Sequence, residues 1–270
     1  MPGATIRAER VGFAYSPRGA AVLENVSFTT EAGAVTALVG RSGSGKSSLL
    51  HLIAGLARPT AGHVAIEGVP VAGPSRRAVM MFQSPSLYPW LRVADNVALG
   101  LRFARTPRAE IGRRVAEALA LVGLEAEASR PATALSGGQA QRAALARALV
   151  MLPEVLLLDE PFAALDLFTR LDLQRDVRAI AARLGITVLL VSHDVAEIAR
   201  MADRALFLAG SPGRIAAETE VSGAARRGDD AAGRAEIARL TALYENACLA
   251  PRGAAPAEAV PAARLPAFAQ

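Results

Sequence analysis

The chain has 270 residues and a hydrophobic fraction of 52%. Its apolar runs are far shorter than the ~20 residues that span a bilayer, which favours a cytoplasmic protein without a membrane span of its own. The formal net charge is +5, but the arginines are scattered, aromatic residues make up only 4%, and a single cysteine excludes an internal disulfide, so neither nucleic acid binding nor a disulfide framework is expected.

The first forty residues alternate apolar and polar positions between glycine and proline turns, which predicts several short strands. The run VTALVG at 35–40 predicts a buried strand, and the helical spacing of SSLLHLIAGL at 47–56 predicts a helix directly after it. GHVAIEGVPV at 62–71 predicts a further strand pair around a glycine turn.

From about residue 83 to residue 150 the pattern changes to apolar positions at helical spacing. One such stripe consists of Ile111, Val115, Ala118, Leu119 and Val122. We therefore expect a helical subdomain at about 84–150, inserted between the strands.

Beyond this insert, strands and helices alternate. VLLLD at 155–159 and ITVLLVS at 186–192 predict buried parallel strands, separated by a helix that ends at Gly185. DVAEIARMA then predicts a helix and RALFLAG a strand, which together indicate an open α/β sheet. The extension at 221–270 is rich in Ala, Gly, Pro and Arg and predicts one helix at 236–249, followed by a disordered tail.

Lys46 is the only lysine in the chain, and it lies in the pattern G-x-x-x-x-G-K-[ST] at 40–47. A strand before this pattern and a helix after it are the context of a phosphate-binding loop, or P-loop. Glycines let backbone N–H groups turn toward phosphate oxygens, and a compact ammonium reaches the phosphates where a planar guanidinium fits badly. We expect a nucleoside triphosphate here, which the resemblance described below implies to be ATP, bound by Gly40, Arg41, Ser42, Gly43, Ser44, Gly45, Lys46, Ser47 and Ser48.

Two acids follow the predicted strand at 155–159. Asp159 and Glu160 lie at its carboxyl end, where open α/β sheets bind their ligands. We expect Asp159 to join the hydroxyl of Ser47 in the Mg²⁺ shell, and Glu160 to polarise the attacking water. His193 follows the strand at 186–192 and is expected to reach the γ-phosphate from the same edge.

The remaining histidines and the cysteine are interpreted as structural or surface residues. His51 lies in a predicted helix, and His63 is assigned to a turn. Cys248 has no cysteine partner and is expected to be inert.

The segment ALSGGQAQRAALARAL resembles the ATP-binding cassette family, because its LSGGQ at 135–139 lies between a P-loop and LLLDEP. A serine followed by two glycines also predicts a helix N-terminus that forms a second phosphate cradle. The resemblance covers roughly residues 4–215. It implies an ATPase domain at 4–220 of α/β class: a P-loop NTPase sheet with an N-terminal antiparallel β subdomain and an inserted helical subdomain.

The same resemblance implies a head-to-tail homodimer. In it, the ATP of one subunit is contacted by the partner's signature residues Ser136, Gly137, Gly138 and Gln139. Tyr15 is implied to stack on adenine, with a core tyrosine as the alternative. Gln83 is implied to sense Mg²⁺ as a third ligand beside Ser47 and Asp159. Asp166 is implied to lie in the AALD loop at 163–166 that crosses the dimer, and His193 to act as the switch histidine. With Glu160, these three residues form the expected catalytic set.

Two further segments, SLYPWLRVADNVALGLRF at 86–103 and SPGRI at 211–215, resemble the nitrate, sulfonate and taurine importer branch of this family. They imply a subunit at the cytoplasmic face of the membrane, served indirectly by a solute-binding protein. A membrane permease would dock in the groove near 83–91, through Leu87, Tyr88, Trp90 and Leu91, for which packing in the subdomain core is the alternative. Two other readings stay open: a soluble cassette ATPase acting on nucleic acid or ribosomes, and a nucleotide-dependent switch with little hydrolysis.

Overall fold

The computed structural model describes residues 3–16, 18–228 and 230–249. The strands in this part are β1 (Ile6–Phe13), β2 (Leu23–Thr30), β3 (Val35–Val39), β4 (Ala61–Ile66), β5 (Val69–Pro70), β6 (Ala78–Met81), β7 (Val155–Asp159), β8 (Thr187–Ser192), β9 (Arg204–Gly210) and β10 (Gly213–Glu220). The α-helices are α1 (Lys46–Ile53), α2 (Val93–Phe103), α3 (Arg108–Leu121), α4 (Gly137–Leu149), α5 (Leu167–Leu184), α6 (Val195–Met201) and α7 (Asp230–Tyr244).

All ten of these strands join one sheet, in the order β5-β4-β1-β2-β10-β9-β3-β8-β7-β6. The half formed by β9, β3, β8, β7 and β6 is parallel. Every residue of β3 and β8 is buried, which is why these strands are continuous apolar runs in the sequence. The parallel half brings the carboxyl ends of β3, β7 and β8 to one edge.

The other half is antiparallel, as expected for the N-terminal strands. β1 pairs with β2 on one side and with β4 on the other, and β4 continues into β5 through a turn at Gly68. β10 joins the halves, because it runs antiparallel to β9 and pairs in parallel with β2 through Gly213 and Leu23. The N-terminal strands are therefore continuous with the parallel sheet.

Three helices, α2, α3 and α4, lie within the range predicted to be helical. They pack on one another and share a core with β7, β8 and α5. The predicted stripe on α3 faces this core: Val115, Ala118, Leu119 and Val122 are buried there, and Ile111 packs against it. The last residue of the helix predicted before β8 is also confirmed, since Gly185 ends α5 with φ 67°.

The extension after β10 packs on the sheet. α7 begins six residues before the predicted helix, and a π-helical turn at Glu245–Leu249 follows it. Together with α6 these elements cover β3 and β9 in a separate apolar cluster that includes Leu240 and Cys248. The tail predicted to be disordered lies outside the described residues.

One assignment was wrong. His63 lies in β4, where it pairs with Glu9 of β1. The preceding Gly62 has φ 69° and the β1–β4 register shifts nearby, so a β-bulge produced the glycine pattern that indicated a turn. None of the described helices is both long and apolar enough to cross a membrane.

Candidate active site

The loop at 40–45 connects the carboxyl end of β3 to the first residue of α1. A Cβ atom on Gly40 would overlap the carbonyl oxygen of Leu208 in β9, so the loop is packed directly on the neighbouring strand. Gly43 and Gly45 have φ values of 80° and 96°, which glycine adopts without strain. The glycines of the motif are therefore required by the backbone path.

Lys46 closes this loop on itself. Its side chain is only 7% exposed. Its Nζ atom donates to the carbonyls of Gly40 at 2.9 Å and Arg41 at 2.8 Å. An ammonium has three donors, so one N–H is not used by the described hydrogen bonds and can reach a phosphate oxygen. Burial lowers the pKa of Lys46, and the negative charges of Glu160 and Asp159 act in the opposite direction.

The P-loop carries unused donors that suit a triphosphate. The first N–H groups of α1 have no partner within the helix. Ser44 is buried, and its hydroxyl has no hydrogen-bond partner among the described residues. Arg41, Ser42 and Gly43 form the exposed rim of the loop. The orphaned hydroxyl and the helix N-terminus together fit a bound anion.

Ser47 and Asp159 form a pair of oxygen groups beside the loop. The Ser47 hydroxyl donates to Asp159 Oδ1 at 3.2 Å. Burial raises the pKa of Asp159, while the hydrogen bond from Ser47 lowers it. Within the described ranges no group of three or more His, Cys, Asp or Glu could hold a metal. A hydroxyl and one carboxylate suit Mg²⁺, which takes its remaining ligands from phosphates and water.

Gln83 lies in the exposed loop that follows β6. The described contacts do not bring it to Ser47 or to Asp159. The predicted third oxygen of the Mg²⁺ shell is therefore on the same sheet edge, but outside the Ser47–Asp159 pair.

Glu160 and His193 come together because β7 and β8 are neighbours. The Glu160 amide donates to the carbonyl of Val191 at 3.1 Å, which fixes the end of β7 against β8. Glu160 has φ 45°, an uncommon value outside glycine. His193 Nδ1 lies 3.2 Å from Glu160 Oε2. A carboxylate and an imidazole thus meet at the sheet edge to which the sequence assigns both residues.

Tyr15 stands next to the start of α1 and is linked to Ser48. The two hydroxyl oxygens are 2.8 Å apart, and the Phe13 ring meets the Tyr15 ring edge-on at 4.9 Å. Tyr15 is 72% exposed, so the alternative of a core tyrosine is wrong. Its exposed ring beside the P-loop leaves adenine stacking as a prediction.

The signature segment begins α4. Ser136 accepts a hydrogen bond from the Gln139 amide at 3.3 Å, and the Gln139 side chain accepts one from the Ser136 amide at 3.0 Å. This is the predicted serine cap, extended to a capping box. A Cβ atom on Gly138 would overlap the Thr169 side chain of α5. No described contact joins this helix N-terminus to the P-loop of the same chain.

Asp166 caps the N-terminus of α5, next to the signature segment. Its carboxylate accepts a hydrogen bond from the Thr169 amide at 3.1 Å, and hydrogen bonds from Thr169 lower its pKa. Because Thr169 also contacts Gly138, the AALD loop and the signature are neighbours within one chain.

The segment at 86–91 has an aromatic surface. Trp90 is 75% exposed and Tyr88 is 43% exposed, and their rings lie 5.2 Å apart. For both residues, the alternative prediction of packing in the subdomain core is therefore wrong. Leu87 packs against the helical core instead. Buried Asn96 holds this segment, accepting from the Tyr88 amide at 2.7 Å and donating to the Tyr88 carbonyl at 3.1 Å.

Sequence reasoning missed Asn96, although a lone polar residue on the apolar stripe of α2 was a usable signal. It also missed the position of Gly213 in SPGRI. A Cβ atom there would overlap the Ser44 carbonyl, so this glycine lies directly against the P-loop. Cys248 contacts the strand on which the P-loop packs, with Sγ 3.8 Å from the Leu208 carbonyl oxygen. Burial raises the pKa of this thiol to about 11, which keeps it neutral.

A P-loop, two carboxylates and a histidine at one edge of a parallel sheet define a P-loop nucleoside triphosphatase. The family described as ABC transporter matches residues 23–163. The chain belongs to the ABC transporter family and is one of its ATPases.

Curated relatives agree over most of the chain. An aliphatic sulfonates import ATP-binding protein of Cupriavidus necator is 47% identical over 222 residues, covering 81% of this chain and 71% of the relative. A taurine import ATP-binding protein of Pseudomonas putida is 42% identical over 212 residues, covering 78% of this chain and 81% of the relative.

Solved structures show the same fold. cbiO1 of Clostridium perfringens, part of an ABC transporter complex, has a TM-score of 0.75 at 27% identity, covering 89% of this chain and 97% of that one. An ATP-binding cassette solved as a dimer with ADP and Pi has a TM-score of 0.70 at 30% identity, covering 81% of this chain and 99% of that one.

Proposed function

We propose that the chain is the ATP-hydrolysing subunit of an importer for taurine or related aliphatic sulfonates. The observation that carries this proposal is a P-loop with Ser47, Asp159, Glu160 and His193 at one sheet edge, in a chain that is 47% identical to a sulfonate import subunit over 81% of its length. Taurine and the aliphatic sulfonates share an anionic sulfonate group, and a permease and a solute-binding protein would select among them.

The triphosphate is held by the P-loop. Lys46 supplies its remaining N–H, the N-terminus of α1 supplies backbone donors, and the unpaired hydroxyl of Ser44 supplies another. Ser47 and Asp159 would hold Mg²⁺, with Gln83 as a further ligand, and the ion would supply positive charge to the phosphates. Tyr15 would stack on the adenine.

Hydrolysis requires a base for water. The Glu160 carboxylate accepts the proton of a water molecule whose oxygen bonds to the γ-phosphorus, while the bond from that phosphorus to the β–γ bridging oxygen breaks. ADP and inorganic phosphate are the products. His193 Nδ1 lies 3.2 Å from Glu160 Oε2, and the imidazole would contact the γ-phosphate from the same sheet edge.

The second cradle acts on another subunit. The Gln139 amide donates to the Ser136 hydroxyl, so the amides of Gly137 and Gly138 at the start of α4 are left without an intrahelical partner and are available to an anion. Since no described contact brings it to the P-loop of its own chain, we propose a head-to-tail homodimer in which residues 136–139 close over the partner's ATP. Asp166 would lie at the crossing between the subunits.

The permease would dock on the aromatic surface at 86–91. Trp90 and Tyr88 present apolar rings to solvent on a segment that follows the Gln83 loop. Movement of that loop on ATP binding would therefore pass directly to the docked partner. The subunit would then lie at the cytoplasmic face of the membrane, bound through its permease partner, with the solute-binding protein acting indirectly.

Deletion of the gene in its native cell tests the substrate class. We expect loss of growth on taurine or an alkanesulfonate as sole sulfur source, with growth on sulfate retained. The wild-type gene should restore growth and the Lys46→Ala gene should not. A tagged chain should co-purify with a membrane permease. Unchanged sulfonate uptake in the deletion strain, or loss of nitrate uptake alone, would contradict the proposed substrate.

A further inference from the structure

A row of polar side chains runs along α5 where this helix faces α6. Arg170, Gln174 and Arg178 are spaced four residues apart and so lie on one face of α5. Opposite them stand groups of the segment 194–203. We call this set the α5 seam; it comprises Arg170, Gln174, Arg178, Asp194, Glu197, Arg200 and Asp203.

The far end of the seam is firmly anchored. Arg178 makes two hydrogen bonds to the Asp203 carboxylate, at 2.7 and 2.6 Å. Asp203 Oδ2 also accepts from the Val35 amide at 2.9 Å, at the start of the strand that leads to the P-loop. In the middle, Gln174 donates to Glu197 at 3.1 Å and accepts from Arg200 Nε at 3.0 Å. These contacts fix α5 against α6.

The near end reaches the nucleotide site. Arg170 Nη2 donates to the carbonyl of Leu165 at 2.9 Å, next to Asp166 in the AALD loop. Arg170 Nη1 lies 3.9 Å from Oδ2 of Asp194, the residue after His193. The Arg170 Nε atom is buried without a hydrogen-bond partner among the described residues. This guanidinium therefore spans two loops that flank the site.

Asp194 is itself held tightly. Its carboxylate accepts hydrogen bonds from the amides of Ala196 at 2.8 Å and Glu197 at 3.2 Å, and so caps α6. Its amide donates to the Ser192 hydroxyl at 3.0 Å. Hydrogen bonds of Asp194 therefore fix the turn that carries His193 on both the β8 side and the α6 side. The Asp194 carboxylate also faces the guanidinium of Arg170.

We propose that Arg170 is a positioning residue for ATP hydrolysis, which holds the AALD loop and the His193 turn in a fixed relation. The inference rests on the proposed roles of Glu160 and His193. A guanidinium is a rigid planar fork, so a shift of the Leu165 carbonyl, to which Arg170 is hydrogen-bonded, moves the positive charge that lies 3.9 Å from Asp194 Oδ2. Closure of a dimer at the AALD loop would in this way be transmitted to the turn that carries the imidazole of His193, which already lies against Glu160.

Steady-state hydrolysis by the full chain tests this. For Arg170→Met we expect kcat to fall about tenfold with ATP affinity and Tm unchanged, because a small misplacement of reacting groups lowers the rate without weakening binding. Arg170→Lys keeps the charge but not the fork, and its kcat should be intermediate. The matched control is Arg175→Met on the same helix, where the side chain is 76% exposed and pairs with Asp172.

Asp194→Asn provides an independent variant, since asparagine still caps α6 but loses the charge that faces Arg170. We expect a lower kcat, and no further fall when it is combined with Arg170→Met. If Arg170→Met does not fold, this variant decides alone. Wild-type kcat in either folded variant, or parallel losses of kcat, ATP affinity and Tm, would overturn the inference.

Glu160→Gln measured alongside separates the two proposals. Full turnover in Glu160→Gln refutes the proposed catalytic role, whatever Arg170 does. Loss of turnover there, with wild-type kcat in Arg170→Met, refutes only the positioning role of Arg170.

Discussion

The imidazole of His193 contacts the carboxylate of Glu160, with Nδ1 3.2 Å from Oε2, across the adjacent ends of β7 and β8. Neither residue is near the other in sequence, and the parallel pairing of Asp159 with Val191 sets their meeting. A base that activates water must be well oriented, and the imidazole of His193 is the group that lies against this carboxylate.

We expect Glu160→Gln to lower kcat by about 10² or more, because the amide cannot accept the proton of the attacking water. ATP affinity should persist, so ATP should trap the dimer, as seen by gel filtration. Phosphate release and nucleotide titration provide the measurements. Glu117→Gln, an exposed carboxylate on α3 paired with Arg113, is the control. Full turnover in Glu160→Gln would refute the assigned role.

Lys46 should not be replaceable by arginine. The side chain is buried and its ammonium bonds two loop carbonyls, so a guanidinium would displace the loop. Lys46→Ala and Lys46→Arg should both weaken ATP binding at least about tenfold, the scale of one charge-assisted hydrogen bond. Titration with a fluorescent ATP analogue measures this, with exposed Arg58→Ala as the control. Near-wild-type affinity in Lys46→Arg would show that the loop accommodates the larger group.

Gly213→Ala should disturb the P-loop from a distance in sequence. Its Cβ atom would overlap the Ser44 carbonyl, so the loop must shift, at a cost of about 1–3 kcal/mol in unfolding free energy and with weaker ATP binding. Gly112→Ala on α3 is the matched control, because its Cβ atom meets no atom within 4 Å. That variant should gain up to about 1 kcal/mol from helix propensity. Equal stabilities of the two variants would contradict the close approach.

Glu197 should make stability depend on pH. Burial in α6 raises the pKa of Glu197 from 4.5 to about 7. Between these two pH values the folded state holds a proton that the unfolded state has lost. The stability that this bound proton contributes is fully present below about pH 4.5 and is lost as pH rises through about 7.

Glu197→Gln removes this ionisation. Its unfolding free energy relative to wild type should therefore increase between about pH 5 and about pH 8, by at most roughly 3 kcal/mol. Urea unfolding at both pH values measures the difference, and Glu117→Gln should show no such trend. A constant difference for Glu197→Gln would refute the raised pKa.

Trp90→Ala should weaken capture of the permease. The ring is largely exposed and removing it leaves no cavity, so Tm should not fall, whereas an aromatic anchor at an interface is worth about 2 kcal/mol or more. Co-purification of the permease from membranes gives the readout. Phe103→Ala, an exposed aromatic at the end of α2, is the comparison. Equal permease recovery by both variants would place the docking surface elsewhere.

The sequence predicts those elements that are determined by burial on both faces or by interactions between residues close together in the chain. The apolar runs VTALV and VLLLD predict β3 and β7, because parallel strands are covered on both faces. The P-loop is predicted by the fixed spacing of its glycines and lysine. Ser136 likewise caps α4 through groups three residues apart. Local rules suffice where the partners are neighbours in the chain.

Contacts between distant segments could not be predicted. Gly213 meets Ser44 only because β10 closes the gap between β2 and β9, which no pattern in SPGRI encodes. Arg170 is one arginine among many in the sequence, and its two contacts depend on how α5 lies on α6. His63 was misplaced because a bulge glycine has the local appearance of a turn.

Amine chemistry follows from the burial of Lys46. Apart from the N-terminus, this chain offers a single primary amine to an acylating reagent, and that amine lies inside the phosphate loop. The extent of acylation at Lys46 therefore measures how much of the protein has nucleotide bound. A nucleotide on the loop shields the Lys46 amine, whereas the amine of an empty loop reacts slowly. Mass spectrometry of one peptide would follow the ligand state of the protein without any introduced label.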